Sequence, residues 1–148
     1  MPQSLASVLV HLIFGTKNRE PKIPRELLPQ LHAYMVGIFD NLQCPSVRTG
    51  GIADHVHSLF SLSRTATIAA VVEAVKTGSS KWMKQRGVKH FAWQAGYAAF
   101  SVSESQKAAV MRYIERQEER HKRQTFQDEV RTFLTRHGVT YDDRYVWD

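Results

Sequence analysis

The alternation of apolar and polar positions along the chain predicts four β-strands. In the first strand, residues 6–16, Val10 and Phe14 point to one face and His11 and Ile13 to the other, so both faces are expected to be covered. Turn residues bound three further segments of strand length. These segments are residues 45–51, residues 52–62 and residues 91–102. The second and third strands follow each other closely enough to predict a hairpin.

Apolar residues that recur every three or four positions predict four helices. The first two, residues 27–41 and 67–85, alternate with the strands to give the order β-α-β-β-α-β. A third helix is predicted over residues 104–122, opened by a capping box at residues 103–106, and a fourth helix begins after Thr125. This order predicts an α+β protein with a ferredoxin-like, RRM-like antiparallel sheet, helices on one face and two C-terminal helices.

Length and composition are typical of a single-domain protein. With 43% hydrophobic content, residues 1–148 are predicted to form one compact domain. No apolar run reaches the length of a membrane helix, and the run at residues 5–14 lacks the charged start and cleavage site of a signal peptide, so a cytoplasmic protein is predicted. Cys44 is the only cysteine, which excludes an internal disulfide and a cysteine-based zinc site.

The positive charge is confined to one part of the sequence. Residues 1–103 hold 11 Lys/Arg against 5 Asp/Glu, whereas residues 104–148 hold nine of each, so the first part carries the whole net charge of +6. Clustered cations predict a polyphosphate partner whose binding weakens with salt, although a solvated basic face that keeps the protein soluble is the alternative. The candidate DNA-contacting cations are Lys17, Arg19, Lys22, Lys76, Lys81 and Lys84.

Two histidines in the third predicted strand are candidate metal ligands. His55 and His57 are two positions apart, so their imidazoles project to the same side of a strand and can chelate one ion. A chain with seven histidines produces such a pair by chance often enough that two structural histidines remain the alternative.

A tyrosine on the third predicted helix is a candidate nucleophile. Tyr113 and Gln117 are four residues apart and therefore share one helical face. A phenol can attack a phosphodiester once it is deprotonated or placed in line with the scissile bond, and the glutamine could add a neutral oxygen ligand to an ion held by the histidines. Because Val110 and Ile114 share part of this stripe, a core tyrosine with a glutamine at its edge is the alternative.

Five segments of the sequence together resemble one known family. They are residues 11–19 (HLIFGTKNR), 54–57 (DHVH), 93–103 (WQAGYAAFSVS), 113–117 (YIERQ) and 126–129 (FQDE). The sequence is similar to the single-tyrosine HUH transposases of small bacterial insertion sequences, and to the related transposases associated with repetitive extragenic palindromes (REP). One departure is Arg120, where many relatives carry a second histidine beside His121.

The resemblance implies a site and a reaction. His55, His57 and Gln117 would hold a divalent ion, Mg²⁺ or Mn²⁺, of which Mn²⁺ tolerates imidazole better. Tyr113 would attack DNA to give a 5′-phosphotyrosine and a free 3′-OH, so that rejoining follows without nucleotide hydrolysis. Asp54 either orients a metal ligand or ends a turn.

The resemblance also implies a substrate and an assembly. Members of the family recognise hairpins in single-stranded DNA during transposition and recombination, and they work as homodimers. In such dimers the tyrosine helix of one subunit can meet the histidines of the other, so a site formed within one chain and a site shared between chains both stay open.

Two other functional classes stay open. The first is an RNA-binding module, because residues 96–100 resemble the RNA-recognition consensus, although Ala95 replaces its basic residue and Ala99 is one residue too many. The second is a domesticated relative that binds or nicks DNA without mobilising an element. The intact histidines, tyrosine and glutamine argue against a purely binding version, but they do not separate a housekeeping nickase from a transposase.

Overall fold

The computed structural model describes residues 2–148 and contains one four-stranded antiparallel sheet. Its strands are β1 (Leu9–Gly15), β2 (Ser46–Ile52), β3 (His55–Ser61) and β4 (Ala98–Val102). They lie in the order β2-β3-β1-β4, and each neighbouring pair is antiparallel. With one helix after β1 and one after β3, the arrangement confirms the predicted α+β, ferredoxin-like fold.

Five α-helices accompany the sheet. They are α1 (Leu28–Asn41), α2 (Ile68–Gln85), α3 (Lys107–Glu115), α4 (Gln117–Arg120) and α5 (Phe126–Arg136). Two of them begin at the residues that the sequence predicts, because the Thr67 and Thr125 side chains accept hydrogen bonds from the backbone N–H groups of Ala70 and Asp128. Within residues 2–148, no helix is both long enough and apolar enough to cross a membrane.

The sheet carries a packed layer on each face. On one face, the apolar side chains of β1 and β3 pack against α1 and α2; this cluster includes Val10, Leu12, Phe14, Val56, Phe60, Leu31, Met35, Phe39, Val72 and Val75. On the other face, Leu9, Ile13 and Leu59 pack against the C-terminal helices through side chains such as Ile114 and Phe126. All seven residues of β1 are buried, which confirms that both of its faces are covered.

The third predicted helix is broken. It was expected over residues 104–122, but α3 ends at Glu115 and α4 begins at Gln117, because Arg116 has φ −101° and ψ 21°. The expected capping box at its start does not form, since Ser103 makes no side-chain capping bond and a 3₁₀ turn precedes α3. The break falls between Tyr113 and Gln117, so these residues do not lie on one continuous helical face.

The fourth strand is shorter than predicted. Only Ala98–Val102 pairs as a strand, and Trp93 makes a single bridge to Thr16. The Lys76 ammonium donates to the backbone carbonyls of residues 94, 95 and 96, at 2.8, 3.1 and 2.6 Å. A lysine side chain therefore takes the acceptors that a neighbouring strand would otherwise use.

Candidate active site

The β3 histidines lie on the sheet face that the C-terminal helices cover. The side chains of His55 and His57 are fully buried, and the sheet register places them opposite Gly15 and Ile13. The phenyl ring of Phe126 stacks on the His55 imidazole with centroids 4.4 Å apart. This packing requires a glycine at position 15, because a Cβ there would come 2.8 Å from the Phe126 ring.

Asp54 sets the orientation of His55. It lies in the turn between β2 and β3, and its Oδ1 is 2.7 Å from His55 Nδ1. A neutral imidazole that donates through Nδ1 has an unprotonated Nε2, which is the form that ligates a metal. Asp54 therefore lies in the turn and also contacts the His55 imidazole, and its part in orienting a metal ligand stays a prediction.

The structure brings Gln117 to His55. Gln117 is 1% exposed, its Oε1 is 2.9 Å from His55 Nε2, and its Nε2 donates to Glu129 Oε2 at 3.1 Å. Because the other nitrogen of His55 is engaged by Asp54, two lone pairs face each other across 2.9 Å when His55 is neutral. A cation or a proton between the two atoms relieves that repulsion, so this donor set fits a metal ion.

Two residues that the sequence analysis did not select, Glu129 and His121, complete the cluster. Glu129 Oε1 lies 2.9 Å from His57 Nε2, 3.2 Å from His121 Nε2 and 3.6 Å from His55 Nε2. Ligand atoms of His55, His121 and Glu129 all lie within 4.8 Å of one another. A sequence signal exists for Glu129, since this carboxylate falls on the apolar stripe that Phe126 begins.

The charge of Glu129 is fixed by its partners. Burial alone would raise the pKa of this carboxyl, but hydrogen bonds from His121, His57 and Tyr113 outweigh burial and hold the pKa well below its usual range. Glu129 is therefore ionised, and it supplies one full negative charge in the centre of the cluster.

His11 supports His57 from β1. Its Nε2 is 2.8 Å from His57 Nδ1, and burial lowers the pKa of both imidazoles below the usual value. Between two neutral rings, either nitrogen can donate to the other. When His57 carries its proton on Nδ1 and donates to His11, its Nε2 is free to bind a metal; in the other tautomer Nε2 donates to Glu129.

Tyr113 meets the cluster through the same carboxylate. Its hydroxyl donates to Glu129 Oε2, and its ring packs edge-on against His57 and Phe133. Burial, followed by the negative charge of Glu129, raises the pKa of the phenol above its usual value, while the nearby Arg120 guanidinium opposes the shift. The phenol is therefore protonated at neutral pH.

A glycine in β2 allows α3 to approach the sheet beside Tyr113. A Cβ at Gly50 would lie 3.0 Å from both the Cγ2 and the carbonyl oxygen of Ile114. Gly50 pairs with His57 in the β2–β3 register. The close packing of α3 on β2 thus sets the position of the tyrosine relative to the histidines.

The predicted basic residues are dispersed. α2 packs on the sheet face opposite the histidines; its Lys81 and Lys84 are exposed, whereas burial lowers the pKa of Lys76 to about 8 and its ammonium is used within the protein. Lys22 forms an ion pair with Glu20 at 3.1 Å, and Lys17 is exposed. Arg19 lines a cavity together with Asp54 and His121, on the side of the histidines.

One family model matches most of the chain. A family model described as "Transposase IS200 like" matches residues 4–117, a segment that includes the two β3 histidines, Tyr113 and Gln117 but ends before His121 and Glu129. No curated protein matches the sequence significantly.

Two solved structures share the fold. The first is a crystal structure of a candidate transposase from Deinococcus radiodurans R1, 25% identical over 79% of this chain and 98% of that chain, with a TM-score of 0.62. The second is a REP-associated tyrosine transposase bound to a REP hairpin, 13% identical over 82% of this chain and 72% of that chain, with a TM-score of 0.59.

Proposed function

The chain belongs to the IS200-like transposase family, and from this premise we propose that it cleaves and rejoins single-stranded DNA through a 5′-phosphotyrosine on Tyr113. The observation that carries the proposal is the meeting of the phenol, Gln117 and the two β3 histidines around one buried carboxylate, Glu129. We further propose that residues 1–148 act as a single HUH transposase domain.

A divalent ion, Mg²⁺ or Mn²⁺, is part of the proposal. His55, His57 and Gln117 would hold it, and Glu129 and His121 are close enough to add a carboxylate oxygen and a nitrogen. Nitrogen and oxygen donors of this kind suit Mn²⁺ well and Mg²⁺ when oxygens dominate. When bound, the ion would supply polarisation of the scissile phosphate.

The chain's own residues have separate parts in the proposed reaction. The Tyr113 oxygen forms a bond to phosphorus as the bond between phosphorus and the 3′ oxygen breaks. In net terms the phenol loses one proton and the 3′ oxygen gains one, with water as the carrier, so the strand leaves with a free 3′-OH. Glu129 Oε2 accepts a hydrogen bond from the phenolic hydroxyl and orients it; because the pKa of this carboxyl is lowered and that of the phenol is raised, water rather than Glu129 takes the phenolic proton away. Rejoining reverses these steps when a 3′-OH attacks the phosphotyrosine. Asp54 keeps His55 in its ligating tautomer throughout.

The proposed substrate is single-stranded DNA that contains hairpins, and the proposed assembly is a homodimer. The REP-associated transposase of similar fold was solved with a REP hairpin, which supports the same class of substrate for this chain. Tyr113 and His57 contact each other within one chain, so the proposal is an active site formed in cis. An exchange of the tyrosine helix between subunits would require separating α3 from β2.

The sheet surface argues against the RNA-binding alternative. An RNA-recognition module stacks bases on aromatic side chains of an exposed sheet face. Here the C-terminal helices cover that face, and Phe100 of β4 is 5% exposed because it packs against Phe133.

Incubation with labelled single-stranded hairpin oligonucleotides and Mn²⁺ tests the proposal. The wild type should form a covalent protein–DNA adduct, visible as a shifted band in a denaturing gel. Tyr113→Phe should bind the DNA and form no adduct. Tyr145→Phe, a change at a tyrosine that is 63% exposed, is the matched control and should form the adduct normally. An adduct that persists in Tyr113→Phe would show that Tyr113 is not the nucleophile.

A further inference from the structure

A groove rich in arginine begins at Tyr113. One cavity of about 230 Å³ beside the phenol is lined by Tyr113, Arg120, Gln124, Glu129, Thr132 and Arg136, among others. A second cavity of about 350 Å³ is lined by Arg116, Glu119, Arg120, Arg123 and Gln124. Arg120 and Gln124 line both cavities, so the two cavities adjoin each other. We name the two together the arginine groove after Arg116, Arg120, Arg123 and Arg136.

The net charge of residues 104–148 is zero, so it does not indicate that this segment carries a basic groove. Six of its acidic residues form ion pairs with cations outside the groove: Glu104 with Lys107, Glu115 with Arg48, Glu118 with Arg25, Asp128 and Asp143 with Arg131, and Asp142 with Arg144. Glu129 is buried among histidines. Within residues 2–148, no ion pair involves a groove arginine, and Glu119 is the one exposed acid that lines the groove.

Arg120 connects the groove to the nucleophile. Its guanidinium carbon lies 4.5 Å from the centre of the Tyr113 ring, and one of its nitrogens donates to Gln124 Oε1 at 3.3 Å. The side chain is exposed, so its remaining N–H groups are free to bind a ligand. A guanidinium in this place can hold a phosphate oxygen within the cavity into which the phenol opens.

Resting on the proposed function, we propose that the arginine groove holds the backbone of the single strand that is cut. Arg120 contacts the scissile phosphate beside the Tyr113 hydroxyl, and Arg116 and Arg123 contact phosphates farther along the same strand. The groove lies on the side of the sheet that carries the histidines. α2, which carries Lys81 and Lys84, packs on the other side of the sheet, and neither lysine lines the cavity at Tyr113.

The salt dependence of DNA binding separates the two paths. The assay is fluorescence anisotropy of a labelled single-stranded hairpin oligonucleotide without metal, over a series of NaCl concentrations, with every protein carrying Tyr113→Phe so that no covalent product forms. Arg116→Gln with Arg123→Gln should lower the slope of log affinity against log salt by about 1.4, because each phosphate contact contributes about 0.7. Lys81→Gln with Lys84→Gln removes the same charge from α2 and should leave the slope unchanged.

Arg120 is tested in the same anisotropy assay. It is also tested by adduct formation with Mn²⁺, in proteins that keep Tyr113. Arg120→Gln should reduce the initial rate of adduct formation more than tenfold, and Arg120→Lys, which keeps the charge, should restore part of it. Circular dichroism verifies that each variant folds, as expected for exposed side chains.

Two results would overturn the groove. The first is a double variant of Arg116 and Arg123 whose slope of log affinity against log salt equals that of the protein without these changes. The second is an equal loss of slope in the arginine and lysine double variants, which would show that DNA binding depends on net charge rather than on the groove. A wild-type protein that binds DNA with the predicted slopes but forms no adduct contradicts the proposed function and leaves the groove standing as a binding surface.

Discussion

Replacing Glu129 with glutamine tests how the cluster is held together. Glu129 is 1% exposed and accepts hydrogen bonds from His57, His121, Tyr113 and Gln117. Glutamine keeps the volume of the side chain, but it replaces one carboxylate oxygen with an NH2 donor. Its single oxygen can accept from the Tyr113 and Gln117 pair or from the His57 and His121 pair, but not from both. The remaining bonds become neutral ones.

The number and type of these hydrogen bonds give the expected loss in the free energy of unfolding. A hydrogen bond to a charged group contributes about 1.5–3 kcal/mol and a neutral one about 0.5–1.5 kcal/mol, so two or three weakened bonds predict a loss of about 3 kcal/mol in the metal-free protein. Burial of a charge opposes this loss, but the hydrogen bonds that Glu129 accepts from His121, His57 and Tyr113 outweigh burial and hold its pKa well below the usual range. For a chain of this size the melting temperature should fall by about 6–12 °C.

The same variant reports on metal binding. At an Mn²⁺ concentration one hundred times the dissociation constant, the wild type should gain about 2.7 kcal/mol of stability. If Glu129 supplies a ligand oxygen, its loss should weaken affinity by about 30-fold, and the gain at the same concentration should shrink to about 0.9 kcal/mol. Differential scanning calorimetry with and without Mn²⁺ measures both quantities.

The matched control is Glu119→Gln, because Glu119 is exposed and lies on the neighbouring α4. Its melting temperature and its response to Mn²⁺ should match the wild type. A metal-free Glu129→Gln protein that melts higher than the wild type would refute the assigned balance between burial and hydrogen bonding. An undiminished response to Mn²⁺ would show that Glu129 is not a ligand.

Three further predictions concern the buried histidines and the packing of α3. His57→Gln should abolish both the thermal response to Mn²⁺ and adduct formation while circular dichroism stays native; a retained response would return the histidines to a structural function. Burial lowers the pKa of His11, His57 and His32, the last to about 4, so the unfolded chain binds protons more readily than the folded protein. In EDTA, the free energy of unfolding should be highest above pH 6.5 and fall as the pH drops toward 4. A melting temperature that stays constant from pH 8 to 5 would contradict this. Gly50→Val should push α3 off β2, lowering stability by about 2 kcal/mol and slowing adduct formation, and unchanged kinetics would show that this close approach is not needed.

Local pattern was sufficient for the fold because each predicted element depends on neighbours in sequence. Period-two alternation gives β1 and β3, the apolar stripe gives α2, and a threonine cap gives the start of α5. Two elements differ from the prediction. Lys76 takes the carbonyls that were expected to extend β4, and the break at Arg116 ends the predicted tyrosine helix early.

The net charge of a segment does not show which of its charges have partners in the folded protein. Residues 1–103 carry the whole excess of basic residues, which predicts a basic surface in that part of the chain. In the folded chain, most C-terminal acids pair with cations outside the groove, and among residues 2–148 the groove arginines stay without an acidic partner beside Tyr113. The sequence gives the number of charged residues, but the fold decides which of them form ion pairs.

For the candidate site, the sequence by itself determined which chemistry is present: two histidines on one strand face, a tyrosine and a glutamine near each other on a helical segment, and a resemblance that connects them. Only the tertiary structure decided that Glu129 and His121 join them and that His11 lies behind His57. Glu129 is 72 residues from His57 in the chain yet 2.9 Å away in space. Such contacts arise from packing α5 onto β3, and no local periodicity encodes the distance between two elements that meet only when the sheet is covered.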